Sequence, residues 1–467
     1  MKKTIIFLVV VSFIGGIGGW YYFFRQVTTT YADEADHFKY GSIGLEEATG
    51  MPYEIWKVMP EVCSDVLPGN DGWNSFGFLW EEGHELPVGI SKKVIGMERV
   101  GINCASCHAG SYRVDKQSPR VVVLGAPTTS FDVQAYTRFF GDCVNSDNFT
   151  SKNVLAAIEK QTELSFIEKL LTRYLVIPVV KNQIKTIDKE FAWFDDRPDQ
   201  GPGRVDTYGQ AKYRVFYMED DGIAGSVDHP AAWNQQLRDG FWLHWDGNNN
   251  SYEERNFAIA IAIAGGNKVD EESIRRVGAY LWEMPAPKYP LAINASLASD
   301  GKTIYTEQCA DCHAVDGSQV GQVVDIDQIG TDRGRLDAFS QDLMDRISGL
   351  TYDDTPFFKY YSAYRKTNGY VNGLLDGIWL RGPYLHNGSV PSLWDLLQPE
   401  DQRPTTFFRA IDIIDSDNVG FISKGPDAED GFWYDTRLQG NGNGGHLYGT
   451  DLSDADKWAL IEYLKTL

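Results

Sequence analysis

The chain has 467 residues, enough for two or three domains with sizeable hydrophobic cores. It contains 43 lysine and arginine residues against 65 aspartate and glutamate residues, so its formal net charge is −22. This charge argues against a nucleic-acid partner and against a basic face for anionic lipid. It is compatible with docking of a basic partner protein, and equally with simple solubility.

The N-terminus carries two lysines followed by an uncharged run, residues 4–24, which ends before Arg25. Its length of 21 residues suffices to span a bilayer as a helix. The lysines favour the cytoplasmic side, so the rest of the chain is expected to be exported. A cleaved signal peptide, with a weak site near Tyr31–Ala32, is the alternative. Residues 1–26 are therefore predicted to be a membrane anchor or a signal.

The segment before the first cysteine motif has no sustained periodicity. Residues 51–101 are rich in glycine, proline and tryptophan, which predicts loops and short helices rather than a regular sheet. Residues 119–126 are a candidate short strand, and residues 152–180 have a helical period. Cys63 and Cys143 form a disulfide if the compartment is oxidising, or are two separate buried thiols.

The middle of the chain predicts two consecutive helices. Ser251 and Glu254 have the spacing of a capping box. Residues 257–264 are apolar all round, which predicts a buried helix. A second helix over 271–284 ends at a proline cluster, residues 285–290. That cluster is the predicted domain boundary.

The last third combines loops with a closing helix. Residues 302–309 are predicted to be a short helix leading into the second cysteine motif, and residues 325–337 a polar loop. The glycine-rich segment 440–445 is predicted to be a flexible loop that presents His446. Ser453 is the expected N-cap of a terminal amphipathic helix, which is expected to cross the helix before the second motif.

Two stretches of the sequence, 104–108 and 309–313, have the pattern CxxCH. Two thiols on one helical turn reach the two vinyl groups of one porphyrin, and the adjacent histidine becomes the proximal iron ligand. A single zinc site with all four cysteines is the alternative, but it leaves both histidines without a purpose. The motifs thus predict two covalently bound haem c groups, attached and ligated by Cys104, Cys107 and His108 and by Cys309, Cys312 and His313.

Haem c is attached outside the cytoplasm in bacteria, in agreement with the exported N-terminus. The predicted fold class is mainly α, with two cytochrome c-like haem domains, long loops, few short strands and an N-terminal transmembrane helix. The domains are expected at residues 33–290 and 291–467. The predicted location is the periplasmic face of the inner membrane, or the periplasm or exterior after cleavage.

The two haem motifs, with 205 residues between their histidines, occur together with Pro383–Ser389 and His244–Gly247. This combination resembles the bacterial di-haem cytochrome c peroxidase and MauG superfamily. The long spacing and the C-terminal segment around His446 resemble its rubber-oxygenase (RoxA-like) branch. The resemblance extends from about residue 38 to the end of the chain. It implies one reactive haem, one electron-relay haem and a tryptophan between them.

By this resemblance Trp245 is the inter-haem tryptophan, although an ordinary buried indole with a bonded N–H is the alternative. The second haem then takes His446 as its sixth ligand, with His386 as the other cofactor-binding candidate. Met344 is also available, but its helical setting favours a core role.

The first haem lacks an obvious sixth ligand, because no histidine follows the first motif until His229. The site is therefore open, or capped by a distant residue among His84, Met97, His229 and His244. If the family geometry applies, His244 lines the distal pocket and exchanges a proton with peroxide or binds O2 by a hydrogen bond. A structural hydrogen bond is the alternative for His244, and Glu253 is a further acid–base candidate.

These residues predict an oxidoreductase of the di-haem peroxidase type that reduces peroxide or uses activated O2. Its electrons would come from a redox partner protein or a quinone-linked donor. The alternatives are a non-enzymatic electron-transfer cytochrome and a haem dioxygenase that cleaves an apolar polymer. A polar distal pocket favours peroxide over a hydrocarbon. The resemblance also implies a Ca²⁺ ion between the domains.

Overall fold

Short helices joined by long loops make up most of the fold, which a computed structural model describes for residues 25–27, 29–348 and 363–467. The α-helices of these residues are Glu34–Tyr40 (α1), Leu45–Ala48 (α2), Tyr53–Val62 (α3), Ala105–His108 (α4), Val133–Asn145 (α5), Ser151–Ile158 (α6), Phe166–Leu171 (α7), Ile177–Lys189 (α8), Thr207–Gln210 (α9), Tyr252–Ile263 (α10), Glu271–Trp282 (α11), Ala295–Gln308 (α12), Ala310–His313 (α13), Ile326–Ile329 (α14), Gly334–Ala338 (α15), Gln341–Ser348 (α16), Leu393–Leu396 (α17) and Asp454–Leu464 (α18). Two segments are π-helical, Thr172–Val176 and Ala211–Val215, and the first joins α7 to α8.

The strands are short, as predicted for a mainly α protein. They are Gln26–Val27 (β1), Met51–Pro52 (β2), Ile90–Ile95 (β3), Met97–Ile102 (β4), Ala109–Tyr112 (β5), Val121–Leu124 (β6), Arg204–Val205 (β7), Val227–Asp228 (β8), Val323–Asp325 (β9), Gly369–Val371 (β10), Thr406–Arg409 (β11), Ile414–Asp415 (β12), Gly420–Phe421 (β13) and Phe432–Asp435 (β14). The candidate strand within 119–126 is confirmed as β6.

A four-stranded antiparallel sheet of order β1–β3–β4–β2 precedes the first motif. Its centre is a hairpin in which Ile95 pairs with Met97 around Gly96, whose φ is 71°. The prediction of loops and short helices for residues 51–101 is wrong here. Both faces of the hairpin are partly covered, so its residues do not alternate between apolar and polar and the period-2 signal is lost.

The N-terminal core lies between α3, α5, α6 and α8 and is rich in stacked aromatic rings. Trp56 stacks on Trp73 with 4.3 Å between ring centroids, and its indole N–H donates to the Tyr136 hydroxyl at 3.1 Å. Cys63, at the end of α3, forms a disulfide with Cys143 on α5. Of the two alternatives for these cysteines, the disulfide is therefore the one the structure contains.

Removing this disulfide, in a Cys63→Ser/Cys143→Ser variant, is expected to lower the free energy of unfolding by about 2–5 kcal/mol, because the bond closes a long loop in the unfolded chain. The two cysteines are 80 residues apart. Denaturant titration followed by circular dichroism measures the loss, with haem content as the control. A wild-type protein whose denaturation midpoint is the same with and without reductant would contradict the expectation.

The C-terminal core is organised by the crossing of α12 and α18, as predicted for the closing helix. A side chain at Gly301 would lie 1.8 Å from the backbone oxygen of Ala459, so glycine permits this close approach. Tyr305 packs on Tyr463 with 5.1 Å between ring centroids. Ser453 is confirmed as the N-cap, since its hydroxyl accepts from the Asp456 N–H.

Buried acidic residues join the two halves of the chain. Asp412 accepts hydrogen bonds from Arg113 at 2.7 Å and Arg120 at 2.6 Å. Arg409 donates to Asp228 at 2.8 Å. These ion pairs thus cross the predicted boundary at 285–290, which itself stays a prediction.

Two further expectations are corrected by the structure. Residues 325–337 are not a polar loop, because they contain α14 and most of α15. The helix α10 is not buried all round, because Ile259 is 36% exposed and lines an internal cavity. An apolar side chain facing an internal cavity has the same sequence signature as one packed in a core.

No helix within the described ranges is long and apolar enough to cross a bilayer. The predicted anchor or signal at residues 1–26 lies almost wholly outside the described residues. The fold begins with β1, where Gln26 pairs with Ile95 of the central hairpin.

Candidate functional site

The first CxxCH motif lies on a single turn of helix, α4, between β4 and β5. The partly buried thiols of Cys104 and Cys107 are free of disulfide bonds and line an internal cavity. Burial raises the pKa of Cys104 to about 11 and that of Cys107 to about 12. Two neutral thiols on one turn are the arrangement that covalent attachment to two vinyl groups requires.

The second motif repeats this arrangement on α13. Cys309 and Cys312 are partly buried and free of disulfide bonds. Burial raises the pKa of both thiols, that of Cys309 to about 11. The histidine of this motif lines the same cavity as the first motif does.

A backbone carbonyl orients each histidine of the two motifs. His108 donates from Nδ1 to the carbonyl of Pro230 at 3.0 Å, and His313 donates from Nδ1 to the carbonyl of Gly373 at 2.7 Å. Such a bond fixes the tautomer whose Nε2 is free to bind a metal. Burial lowers the pKa of both histidines, that of His108 to about 4, so both rings are neutral, as metal ligation requires.

A second imidazole faces each of these histidines at the same distance. The ring centroids of His108 and His229 are 6.2 Å apart, and those of His313 and His446 are also 6.2 Å apart. Imidazole nitrogens bind first-row metals at about 2 Å, and with the ring radius of about 1 Å this places two opposed rings roughly 6 Å apart. Both gaps therefore fit an iron ion held by two histidines.

His229 reaches the first site through the pairing of β7 with β8. Its backbone N–H donates to the carbonyl of Gly203 at 3.1 Å, and the N–H of the preceding Asp228 donates to the carbonyl of His386 at 2.9 Å. The His229 Nε2 atom is buried and has no hydrogen-bond partner in the described part of the chain. A buried nitrogen without a partner that faces another imidazole fits an axial ligand of an iron bound between the two rings.

His446 follows the glycine-rich loop and is tied to its surroundings by hydrogen bonds. Its φ of 51° is in the left-handed region, and its N–H donates to the carbonyl of Ile329 at 2.8 Å. Arg403 donates to the carbonyls of Asn443 at 2.7 Å and Gly445 at 2.8 Å. A side chain at Gly445 would lie 2.3 Å from Gly330, so glycine at this position allows close packing, and the flexibility of the loop stays a prediction.

One cavity of about 660 Å³ reaches all four of these imidazoles. Its wall near the first motif is apolar and includes Ile259 and Ile263 of α10, together with Ile43, Leu45 and Ile102. Large apolar walls with a few convergent polar groups are typical of cofactor sites. The cavity thus offers a largely apolar space that reaches both pairs of imidazoles.

Two half-buried arginines also line the cavity, Arg255 near the first site and Arg381 near the second. Neither forms an ion pair in the described part of the chain. Arg255 donates to the side-chain oxygen of Asn256 at 2.9 Å, and Arg381 donates to the carbonyl of Leu374 at 2.6 Å. Burial lowers the pKa of Arg381 to about 10. The Asp376 carboxylate partly offsets this effect at Arg381. Cations that line an apolar cavity favour an anion, and the carboxylates of a haem group bound at either site would supply one.

Trp245 lies on the wall between the two sites. Its indole N–H donates to the carbonyl of Asp228 at 2.8 Å, and its own carbonyl accepts from the N–H of Val371 at 2.8 Å. Asp228 precedes His229, and Val371 is two residues from Gly373, which orients His313. Trp245 therefore contacts the segment of His229 through its indole and the segment that orients His313 through its backbone carbonyl.

The other two predicted catalytic residues, His244 and Glu253, are not brought together. His244 lines the cavity with a φ of 63°, and its buried Nε2 has no hydrogen-bond partner among the described residues. Burial lowers its pKa to about 3. Glu253 instead pairs with Arg275 at 3.0 Å, and its side chain is 53% exposed. It lies in the first turn of α10 on the solvent side, so the structure gives it no place in the cavity wall.

His386 faces neither motif histidine. Its ring stacks on Tyr370 at 4.0 Å between centroids, and its Nε2 is 3.0 Å from the Tyr370 hydroxyl, which donates to the carbonyl of Asp332 at 2.7 Å. This buried pair lines the cavity. Sequence reasoning did not single out Tyr370, Arg255 or Arg381. No local pattern marks them, because only the fold brings them to the cavity.

Thiols of a CxxCH on one helical turn, with the adjacent histidine held by a carbonyl above a large cavity, define a c-type cytochrome. The comparisons with known proteins agree. A cytochrome c family model matches residues 298–368, and a RoxA-like, cytochrome c-like model matches residues 369–408. The chain is a c-type cytochrome with RoxA-like features, and it carries covalently bound haem c.

Two relatives come from Sinorhizobium fredii. The uncharacterized protein y4iJ is 23% identical over an alignment that covers 89% of each chain. The uncharacterized protein y4iM is 31% identical over 52% of this chain and 65% of its own length. Within the ranges the structure describes, no three His, Cys, Asp or Glu side chains converge as a metal-binding group, and the Ca²⁺ ion stays a prediction.

Proposed function

We propose that the protein is a di-haem c-type cytochrome that transfers electrons between two haems, each held by two imidazoles. The observation that carries this proposal is the equal spacing of the two histidine pairs, 6.2 Å for His108 with His229 and 6.2 Å for His313 with His446. An iron with two strong protein ligands transfers electrons, whereas an open position binds O2 or peroxide. The geometry thus favours the electron-transfer function over the peroxidase-type function.

Haem c bound at these residues supplies reversible one-electron chemistry of its iron. The chain supplies the rest. The carbonyls of Pro230 and Gly373 hold the motif histidines in the ligating tautomer. Arg255 and Arg381 balance the carboxylates, and the apolar walls keep water from the site. Fixed ligands on rigid loops limit rearrangement on electron transfer.

Trp245 is the proposed bridge between the sites. Its indole N–H donates to the Asp228 carbonyl and its own carbonyl accepts from the Val371 N–H, each at 2.8 Å, which holds the residue beside segments of both histidine pairs. Its ring packs against Ile326, Leu336 and Tyr370, so it is held without freedom to swing. A rigid aromatic ring at this place shortens the through-space distance over which an electron must tunnel between the two sites.

The proposed location is the outer face of the inner membrane, with residues 4–24 as the anchor. The Cys63–Cys143 disulfide supports an oxidising compartment. The covalent haem supports the same side of the membrane. The proposed electron partners are a redox protein or a quinone-linked donor, and the charge of −22 favours a basic protein face.

Replacing Trp245 by phenylalanine is expected to slow electron transfer between the haems while haem content and axial ligation stay unchanged. The Asp228 carbonyl loses its partner, so a stability loss of about 1–3 kcal/mol accompanies the change. Rapid photoreduction followed at two wavelengths measures the rate.

Trp242→Phe is the matched control, because Trp242 also lines the cavity and lies three residues away. The Arg365 guanidinium lies 3.0 Å from the centre of the Trp242 ring. Trp242 is expected to have no part in electron transfer between the haems. Equal slowing in both variants, or no slowing in Trp245→Phe, would remove the proposed role of Trp245.

The second candidate is the peroxidase-type or oxygenase-type function at the first site. The observation that favours it is His244, a buried neutral imidazole with an unpartnered Nε2 on the wall of the cavity. In that function His229 must leave its place opposite His108. Addition of peroxide to the reduced protein separates the candidates. Rapid turnover that is lost in His244→Ala supports the enzyme, and an unchanged spectrum supports electron transfer alone.

A further inference from the structure

The helical segment from α7 through the π-helical turn to α8 has an exposed apolar face. This face consists of Phe166 (75% exposed), Ile167 (67%), Leu170 (42%), Tyr174 (67%), Leu175 (44%) and Val179 (53%). The same segment buries Ile177, Val180 and Ile184 in the N-terminal core. A helix that is apolar on both its core side and its outer side is normally covered on both.

The apolar face lies among basic side chains, although the chain as a whole is strongly acidic. Residues 166–189 contain five lysines and arginines and two acidic residues. The Arg173 guanidinium lies 5.4 Å from the centre of the Tyr174 ring, and Lys169 pairs with Glu159 at 2.7 Å. Exposed apolar and aromatic residues bordered by lysine and arginine are typical of helices that lie in the interface of a bilayer.

The start of the fold also places it close to a membrane. The uncharged run of residues 4–24 ends directly before Arg25, and Gln26 and Val27 already pair with Ile95 and Val94 in the sheet. If the run spans the bilayer, no linker separates the folded chain from the lipid surface. Part of its surface must then face the headgroups.

We infer that the apolar face of residues 166–179 docks into the interfacial layer of the bilayer that anchors the chain. Phe166, Ile167 and Leu170 enter between the headgroups. Tyr174 takes the interfacial position that aromatic rings favour, and Arg173 reaches the lipid phosphates. The overall charge of −22 keeps the rest of the surface away from an anionic leaflet, so this face also fixes the orientation of the domain.

A second copy of the chain fits this face less well. In a symmetric dimer the same face meets itself, which brings together two copies of a border that has five basic and two acidic residues in 166–189. A lipid surface provides phosphates for the same groups. The docking rests on the proposed membrane attachment through residues 4–24, and it is separate from the assignment of the haem ligands.

The test uses full-length holoprotein with Ile167→Cys carrying a nitroxide, in vesicles of phosphatidylethanolamine and phosphatidylglycerol. Haem thioethers and the disulfide occupy the other six cysteines, so the label is unique. The control is Leu438→Cys, since Leu438 is apolar and 46% exposed outside this face. The nitroxide at position 167 is expected to collide more often with O2, which concentrates in lipid, than with a nickel chelate, which stays in water. The nitroxide at position 438 is expected to collide more often with the chelate.

Equal exposure to the chelate at both positions would overturn the docking. Dipolar broadening between labels at position 167 that persists without lipid would overturn it in favour of a second copy. The intact mass of the purified chain reports separately whether residues 1–24 are retained, and the optical spectrum reports whether the haem ligands are in place. Introducing Arg173→Glu beside the label is expected to shift position 167 toward water.

Discussion

Replacing His229 by alanine is expected to convert the haem attached at Cys104 and Cys107 from six-coordinate and low-spin to high-spin. The imidazole of His229 faces that of His108 at 6.2 Å, and its Nε2 has no partner in the described residues. Without it the iron keeps only His108 and an open position. Optical and EPR spectra measure the change, which is expected in about half of the haem. The variant is also expected to bind cyanide, whereas the wild-type protein is expected not to bind it.

Three further variants make this result interpretable. His446→Ala is expected to produce the same change at the second haem, because His446 faces His313 at the same distance. His244→Ala is expected to leave both haems low-spin. His84→Ala controls for general effects, since its side chain is 40% exposed and lies outside the cavity wall. A high-spin haem in His244→Ala together with an unchanged His229→Ala would show that the sixth ligand is His244.

Replacing Asp246 by alanine is expected to cost about 3–5 kcal/mol of stability, because it leaves a buried cation without its partner. The side chains of Asp246 and Arg335 are 1% and 3% exposed, with 2.9 Å between their charged atoms. The Tyr208 hydroxyl donates to the same carboxylate at 2.5 Å. Burial alone would lower the pKa of Arg335, but Asp246 and Tyr208 raise it overall, so its charge persists. Denaturant titration measures the loss.

The matched control is Asp337→Ala. Asp337 lies on α15, which also contains Arg335, and its carboxylate is the ion-pair partner of Arg333. That pair is about half exposed on both sides and 3.3 Å apart, so its loss is expected to cost about 0–1 kcal/mol. Similar small losses in both variants would contradict the role given to the buried pair. Because Asp246 follows Trp245, a loss of inter-haem electron transfer in Asp246→Ala is also expected.

The haem attachment sites could be predicted because their chemistry is local. Two thiols and a histidine within five residues carry the whole signal, and the structure adds only the carbonyls that orient His108 and His313. The closing helix could also be predicted, since its Ser453 cap and its apolar stripe are local patterns. These features do not depend on how distant segments meet.

The axial partners could not be derived in this way. His229 is 121 residues from His108, and the short pairing of β7 with β8 brings them together. His446 entered through a family resemblance and not through any property of its neighbours. Arg255 and Arg381 have no local signature, because an arginine that lines a cavity is recognised only once its surroundings are known.

The other differences between the predictions and the structure also arise because local sequence patterns do not show how distant segments meet. The β3–β4 hairpin escaped prediction because both of its faces are partly covered. Ile259 was expected in a core and instead lines the cavity, and the sequence pattern is the same for both. Glu253 fitted an acid–base role by its position near His244, but the first turn of α10 directs it to Arg275.

The most direct test of the paired-histidine account is EPR and near-infrared spectroscopy of the oxidised full-length protein, with haem measured per chain. The account predicts two haems per chain, both low-spin with two histidine ligands, and no high-spin ferric signal. A high-spin signal equal to one haem, or a single haem per chain, would contradict it.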